Sequence, residues 1–182
     1  MVNRKRLDLI VLLLISALVV TASAAIYYTM LAQSTATVAQ ATVYFIAGGD
    51  SSGILALGAN DTYASLSLNA YPNVTLYYEQ AVNLTAMAAK QVQLSHVSVS
   101  PNNNPSVSNF TSVVFGLIRA SGAEVGTLTY TTTGAVWNVP SSPTGYVPIS
   151  AGEKLAIKVE IKAAAGAKTG VSTTIVIAVD VK

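Results

Sequence analysis

Two runs within the last thirty residues of this chain are written in a two-residue period, and that period dictates what they can fold into. Leu155, Ile157, Val159 and Ile161 alternate with Lys154, Ala156, Lys158, Glu160 and Lys162. Val171, Thr173, Ile175, Ile177, Val179 and Val181 alternate with Ser172, Thr174, Val176, Ala178, Asp180 and Lys182. Successive side chains of a strand point to opposite faces, so each run has one face for a core and one for its surroundings. Gly166 and Gly170 interrupt the chain between them. The pattern predicts a β-hairpin with a single core face.

The same reading extends upstream. Short segments at 41–46, 63–68, 74–79, 81–85, 91–99, 111–119, 124–132 and 146–149 carry strand patterning and are separated by turn residues. Val113-Val114-Phe115-Gly116-Leu117-Ile118 is almost wholly apolar, which predicts a central strand buried on both faces. Pro101-Asn102-Asn103-Asn104-Pro105 and Ser141-Ser142-Pro143-Thr144-Gly145 are loops, because proline and asparagine favour turns and resist pairing. No helical period, internal repeat or second domain is visible past residue 40. The expectation is an all-β, jelly-roll-like β-sandwich of about eight or nine strands over 41–182.

Composition narrows the function. Apolar residues make up 52% of the 182 residues and charged residues only 10%, against about 25% charged in an average soluble domain. So weakly charged a surface calls for cover by partners, glycans or lipid. Arg4, Lys5 and Arg6 account for the positive balance; past residue 24 there are seven basic and seven acidic residues. A neutral body lacks the basic patch that nucleic-acid binding requires. There is no cysteine, which excludes disulfides and thiolate metal sites.

The N-terminus reads as an export signal. A positive stretch ending at Arg6 precedes an apolar run over 7–20, and Ala22-Ser23-Ala24 supplies small residues for cleavage. The expectation is a secretory signal peptide over 1–24, a secreted cell-surface product, and membrane contact only during export. Two alternatives stand beside it. Residues 9–31 are long enough to span a bilayer as a retained helix. A type IV pilin would keep the apolar segment as a filament-core helix, although Leu7 after Arg6 departs from the small residue preferred there.

Little in the chain suggests catalysis. His96 is the only histidine and lies where the alternation of 91–99 slips, which favours a strand or bulge role. Asp50, Asp61, Glu79, Glu124, Glu153, Glu160 and Asp180 are scattered, without metal-loop or acid–base spacing. The glycines form no phosphate-binding fingerprint; Gly48-Gly49-Asp50-Ser51-Ser52-Gly53 is a turn. Trp137 fits a core or subunit-contact role better than sugar binding. No catalytic residue, metal site or cofactor is expected, and the chain is not expected to be an enzyme.

Four N-x-Thr sequons make Asn60, Asn73, Asn83 and Asn109 candidate N-glycosylation sites, while Pro105 disqualifies Asn104. Glycans would hydrate a charge-poor surface.

Residues 25–40 carry the strongest lead. Ala25 opens the segment. Ile26, Tyr28, Met30 and Ala32 share one face at strand spacing, continued by Ser34, Ala36 and Val38. Thr29, Gln33, Thr35 and Thr37 lie on the other, with Tyr27 and Leu31 as exceptions. A strand laid into a groove is patterned in this way. In a neighbouring subunit's groove it would act as a donor strand, closing an exposed sheet edge. Burying three or four large apolar side chains contributes on the order of 5–12 kcal/mol before the cost of association. Because the contact is heterologous, it propagates as a fibre. The competing fates are pairing with the chain's own sheet and service as a membrane anchor.

With the signal peptide, the apolar tail and the cysteine-free body, the segments Tyr71-Pro72-Asn73-Val74-Thr75-Leu76, Ala81-Val82-Asn83-Leu84-Thr85 and Pro148-Ile149-Ser150-Ala151-Gly152-Glu153-Lys154-Leu155 give the chain its family likeness. It resembles archaeal bundling pili and threads, related to the TasA/camelysin-like biofilm matrix proteins. The resemblance implies a jelly-roll subunit that polymerises by an N-terminal donor strand into often glycosylated filaments, which bundle for adhesion and biofilm. The adjacent Tyr27 and Tyr28 are bulky for a closed groove and leave open where the donor begins. The partners implied are copies of the chain itself and neighbouring filaments. The competing functions are a membrane-anchored or surface-layer-associated binding module and a secreted enzyme.

Overall fold

A computed structural model describes residues 41–182. The proposed signal peptide over 1–24 and donor-strand tail over 25–40 lie outside the described residues. Eleven strands follow one another: β1 (Val43–Ala47), β2 (Leu55–Leu57), β3 (Ala64–Leu66), β4 (Thr75–Ala86), β5 (Lys90–Ser100), β6 (Phe110–Arg119), β7 (Glu124–Thr133), β8 (Val136–Asn138), β9 (Val147–Ile149), β10 (Lys154–Ala163) and β11 (Thr174–Val181). Among the described residues the only helical pieces are 3-10 turns at Ala59–Asp61 and Pro105–Asn109.

The strands form an all-β sandwich. A six-stranded sheet in the order β1-β4-β10-β6-β7-β8 faces a three-stranded sheet in the order β11-β5-β9, and β2 and β3 make a separate pair. All register pairs between these strands are antiparallel. The chain changes sheet between β4 and β5, again between β5 and β6, and at each step from β8 to β11. One core lies between the sheets. Leu84, Leu117, Leu128, Tyr130, Leu155, Ile157 and Val159 line it from the larger sheet, and Val92, Leu94 and Ile149 from the smaller.

The strict alternation of β10 sets its face as expected: Leu155, Ile157, Val159 and Ile161 are buried. The expected hairpin is not formed. β10 runs between β4 and β6, whereas β11 pairs with β5 in the other sheet. A two-residue period fixes which face of a strand is apolar but says nothing about its partner. The connection 164–173 carries the chain from one sheet to the other.

Two further expectations are corrected. Segments 74–79 and 81–85 are one strand, β4. Val159 faces Tyr78 and Ile157 faces Val82, so Glu79, Gln80 and Ala81 bulge opposite Lys158. Asp50 occupies that bulge: its carboxylate accepts from the Gln80 N–H at 3.0 Å, and its own N–H donates to the Gln80 carbonyl at 3.1 Å. The break in alternation therefore marks a bulge and not a strand end. β6 is central, as its apolar run predicts, with Val113, Phe115 and Leu117 buried. Its other face is only partly covered, because Val114 and Ile118 are half-buried on the outer surface of the sheet. β2 and β8, three residues each, are the strands too short to read from the sequence.

Candidate functional site: sheet edges and sequons

A sandwich of two open sheets has free edges, and unpaired backbone at an edge is where another strand can add. The four outer edges here differ in how far they are obstructed. β1 is approached by β2 and by the 3-10 turn at Ala59–Asp61. β8 is covered by the 102–104 loop: Asn103 bridges to Val136, and the Trp137 N–H reaches the Asn102 carbonyl at 3.3 Å and its side-chain oxygen at 3.2 Å. β9 has only three residues, carries Pro148 in its middle, and lends the Pro148 carbonyl to Arg119 at 2.9 Å.

The fourth edge is different. β11 has eight residues and no proline, and among the described residues it pairs with β5 alone. Ile175, Ile177 and Val179 pack against the core yet stay half-buried. The apolar row that faces the other sheet is therefore incompletely covered where the smaller sheet ends. Asp180 is the strand's only charge, and it accepts a hydrogen bond from Gln93 Nε2 at 3.1 Å. One further stretch lacks a strand. β5 loses its β9 partner after Val92; Thr144 bonds Leu94 at 3.0 Å through its N–H and its hydroxyl. Beyond Leu94 the register with β11 shifts at Val97, so that stretch is bulged.

The four sequons separate into two kinds. Asn60 and Asn73 are exposed on turns, with φ of +60° and +57°. Asparagine tolerates that left-handed conformation better than most residues, which accounts for its presence there. Asn83 lies on β4 between Ile46 and Ala156, and its side-chain oxygen is buried without a partner among the described residues. Its sequon threonine, Thr85, is buried and donates to the Glu153 carbonyl at 3.2 Å. Asn109 has both ends of its amide engaged: Nδ2 donates to the Ser106 carbonyl and Oδ1 accepts from the Lys168 N–H, each at 2.7 Å.

His96 sits at the β5 irregularity, with Nδ1 3.1 Å from the Tyr130 hydroxyl and the two rings edge to face at 5.6 Å. This is the strand-or-bulge role its sequence context predicts. Burial pushes the Tyr130 phenol up to about 12. Trp137 is 2% exposed and packs near Phe110, so it is a core residue. Among the described residues no three His, Asp or Glu side chains converge as metal ligands. A depression of about 400 Å³ on the outer face of the large sheet is bordered by Glu79, Asn83, Arg119 and Lys154. Glu79 is the only carboxylate on it, and it pairs with Lys158 at 3.8 Å. A single paired carboxylate offers no acid–base couple.

The residues expected from the sequence to form a donor strand, Ala25, Ile26, Tyr28, Met30, Ala32, Ser34, Ala36 and Val38, lie outside the described residues. The exposed character of the β11 edge has a signal in the sequence: a long run with one charge and no proline lacks the devices that usually guard an edge. Compared with known proteins, the chain matches no protein-family model, and no curated protein matches it.

Proposed function

We propose that this chain is a structural subunit of an extracellular filament, polymerising through residues 25–38 as a donor strand and supporting adhesion and cell–cell contact. The observation that carries the reading is the unequal sandwich. A six-stranded sheet faces a three-stranded one, and the apolar row of the smaller sheet's outermost long strand is half-covered. A patterned apolar segment immediately upstream of β1 is the complement such an opening calls for. A charge-poor exterior with Tyr63, Tyr71 and Tyr77 more than half exposed suits lateral packing of filaments and glycan cover. The scattered carboxylates and the single core-facing histidine favour a packing protein over an enzyme.

The test is to isolate native material, locate the mature N-terminus by mass spectrometry and image the same sample by cryo-electron microscopy. The expected result is a chain starting near residue 25 within filaments whose subunits are joined by a β-strand crossing between them. Membrane-associated monomers that retain residues 1–24 would overturn the proposal and leave an anchored surface module.

A further inference from the structure

The structure assigns the acceptor: we infer that the open edge of β11, Thr174–Val181, receives residues 26–38 of a second copy of this chain. The inference rests on the filament reading above and adds the surface that completes it.

The argument is first one of elimination. β8 is capped by a loop, β9 is short and interrupted by proline, and β1, also paired on one side only, has five residues against the eight of β11. The unpartnered stretch of β5 is bulged at Val97, which breaks the regular spacing a ladder needs. Only β11 offers, among the described residues, a long unpaired edge without proline.

The second line is chemical complementarity. The inward row Ile175, Ile177 and Val179 is apolar and half-buried, so a strand added beside it extends the core instead of facing water. The segment 26–38 brings the matching row: Ile26, Tyr28, Met30 and Ala32, then Ser34, Ala36 and Val38. Its opposite row, Thr29, Gln33, Thr35 and Thr37 with Tyr27 and Leu31 among them, would continue the outer face beside Val176, Ala178 and Asp180. Neither partner places a lysine or arginine in the contact. An edge strand of eight residues pairs with about as many donor residues, and the thirteen-residue segment supplies them with a few left for the link between subunits.

Backbone direction separates this from self-pairing. The start of β1 lies opposite Ala86, next to the β4–β5 turn, and the end of β11 lies opposite Val92, just after it. A tail folded back along its own β11 would run toward that same end, parallel to β11. A donor from another copy is free to run antiparallel, the form in which every other strand pair of the two sheets is built.

The lack of native cysteine gives a clean test. In the full-length chain, T29C, Q33C or T35C is combined with V176C or A178C on β11, or with V136C on β8 or V147C on β9 as controls. After mild oxidation, denaturing electrophoresis without reductant reads the products, with filaments checked by microscopy. The expected result is a ladder of covalent multimers from at least one β11 combination and none from the controls. Filaments that cross-link only through β8 or β9 would overturn the β11 assignment while leaving the filament proposal standing. Covalently closed monomers through β11 would show self-pairing and overturn both. Folded monomers with no filament under any pairing would remove the filament proposal, and this inference with it.

Discussion

Arg119 and Glu153 pair their charged groups across the end of the sandwich, and the other Arg119 nitrogen donates to the Pro148 carbonyl at 2.9 Å. One side chain at the end of β6 thereby fastens β9, in the smaller sheet, to the turn that leads into β10. Glu153 also accepts from the Ser150 N–H at 2.8 Å, closing that turn. The Ser150 N–H is the largest influence holding the Glu153 carboxyl below its ordinary value; desolvation opposes it, and Arg119 adds to the lowering. A carboxyl depressed in the folded state stabilises the fold above its unfolded value. That contribution is lost as pH falls through the depressed one. The prediction is that E153Q costs about 1 kcal/mol at neutral pH, a figure reduced by partial exposure of the pair. The gap between wild type and variant should close in acid. Urea unfolding at a series of pH values from neutral into acid checks it; a constant gap would show that Glu153 acts without its charge.

At the other end of the pH scale, Tyr130 decides. Its hydroxyl meets His96 Nδ1 at 3.1 Å inside the core, and burial raises the phenol from 10 to about 12. A raised value means that the folded state prefers the neutral phenol. The stabilisation is complete below pH 10 and declines between 10 and 12, at about 1.4 kcal/mol per pH unit. Y130F removes this slope and costs about 1 kcal/mol at neutral pH through the lost hydrogen bond. Thermal unfolding from pH 8 to 12 should show the wild type falling more steeply than the variant.

The bulge of β4 gives a steric prediction. A Cβ on Gly48 would lie 1.9 Å from the Gln80 carbonyl oxygen, a backbone atom fixed by its bond to Asp50. Neither side can yield cheaply, so G48A is expected to cost on the order of 1–3 kcal/mol. G166A meets nothing within 4 Å and needs no left-handed backbone, so it should change stability by less than about 0.5 kcal/mol. Chemical denaturation of the two variants side by side tests the contrast.

Much of the fold was legible because a single face was buried. The rows Leu155 to Ile161 and Ile175 to Val179 name their inward sides, and the apolar run at Val113 to Ile118 names a central strand. Pairing was not legible. Nothing local in β10 distinguishes β11 as a partner from β4 and β6, whose contacts with it span tens of residues of sequence. The β4 bulge read as a break because its backbone partner, Asp50, lies thirty residues away. For the sites, the sequon pattern marks Asn83 and Asn109 as readily as Asn60 and Asn73, since it carries no information on burial. The openness of the β11 edge depends on which strand lies beside it, which only the assembled sheet shows.

That difference in burial leads to the last prediction, on glycosylation. An acceptor asparagine has to present its amide, and the threonine two residues on its hydroxyl, at the surface. Asn60 and Asn73 are exposed on turns, and the Thr62 hydroxyl makes only a long local contact of 3.4 Å to the Ala59 carbonyl. Asn83 sits within a paired strand with its threonine hydroxyl committed to Glu153, and the Asn109 amide is bound at both ends. In a host that modifies such sequons, glycopeptide mapping of the chain is expected to find Asn60 and Asn73 occupied and Asn83 and Asn109 bare. N60Q and N73Q should each remove one glycan mass, and the double variant should leave the bare chain. Glycans found on Asn83 or Asn109 but missing from both turn positions would mean that modification precedes folding of the sandwich, and that exposure in the folded chain does not select the sites.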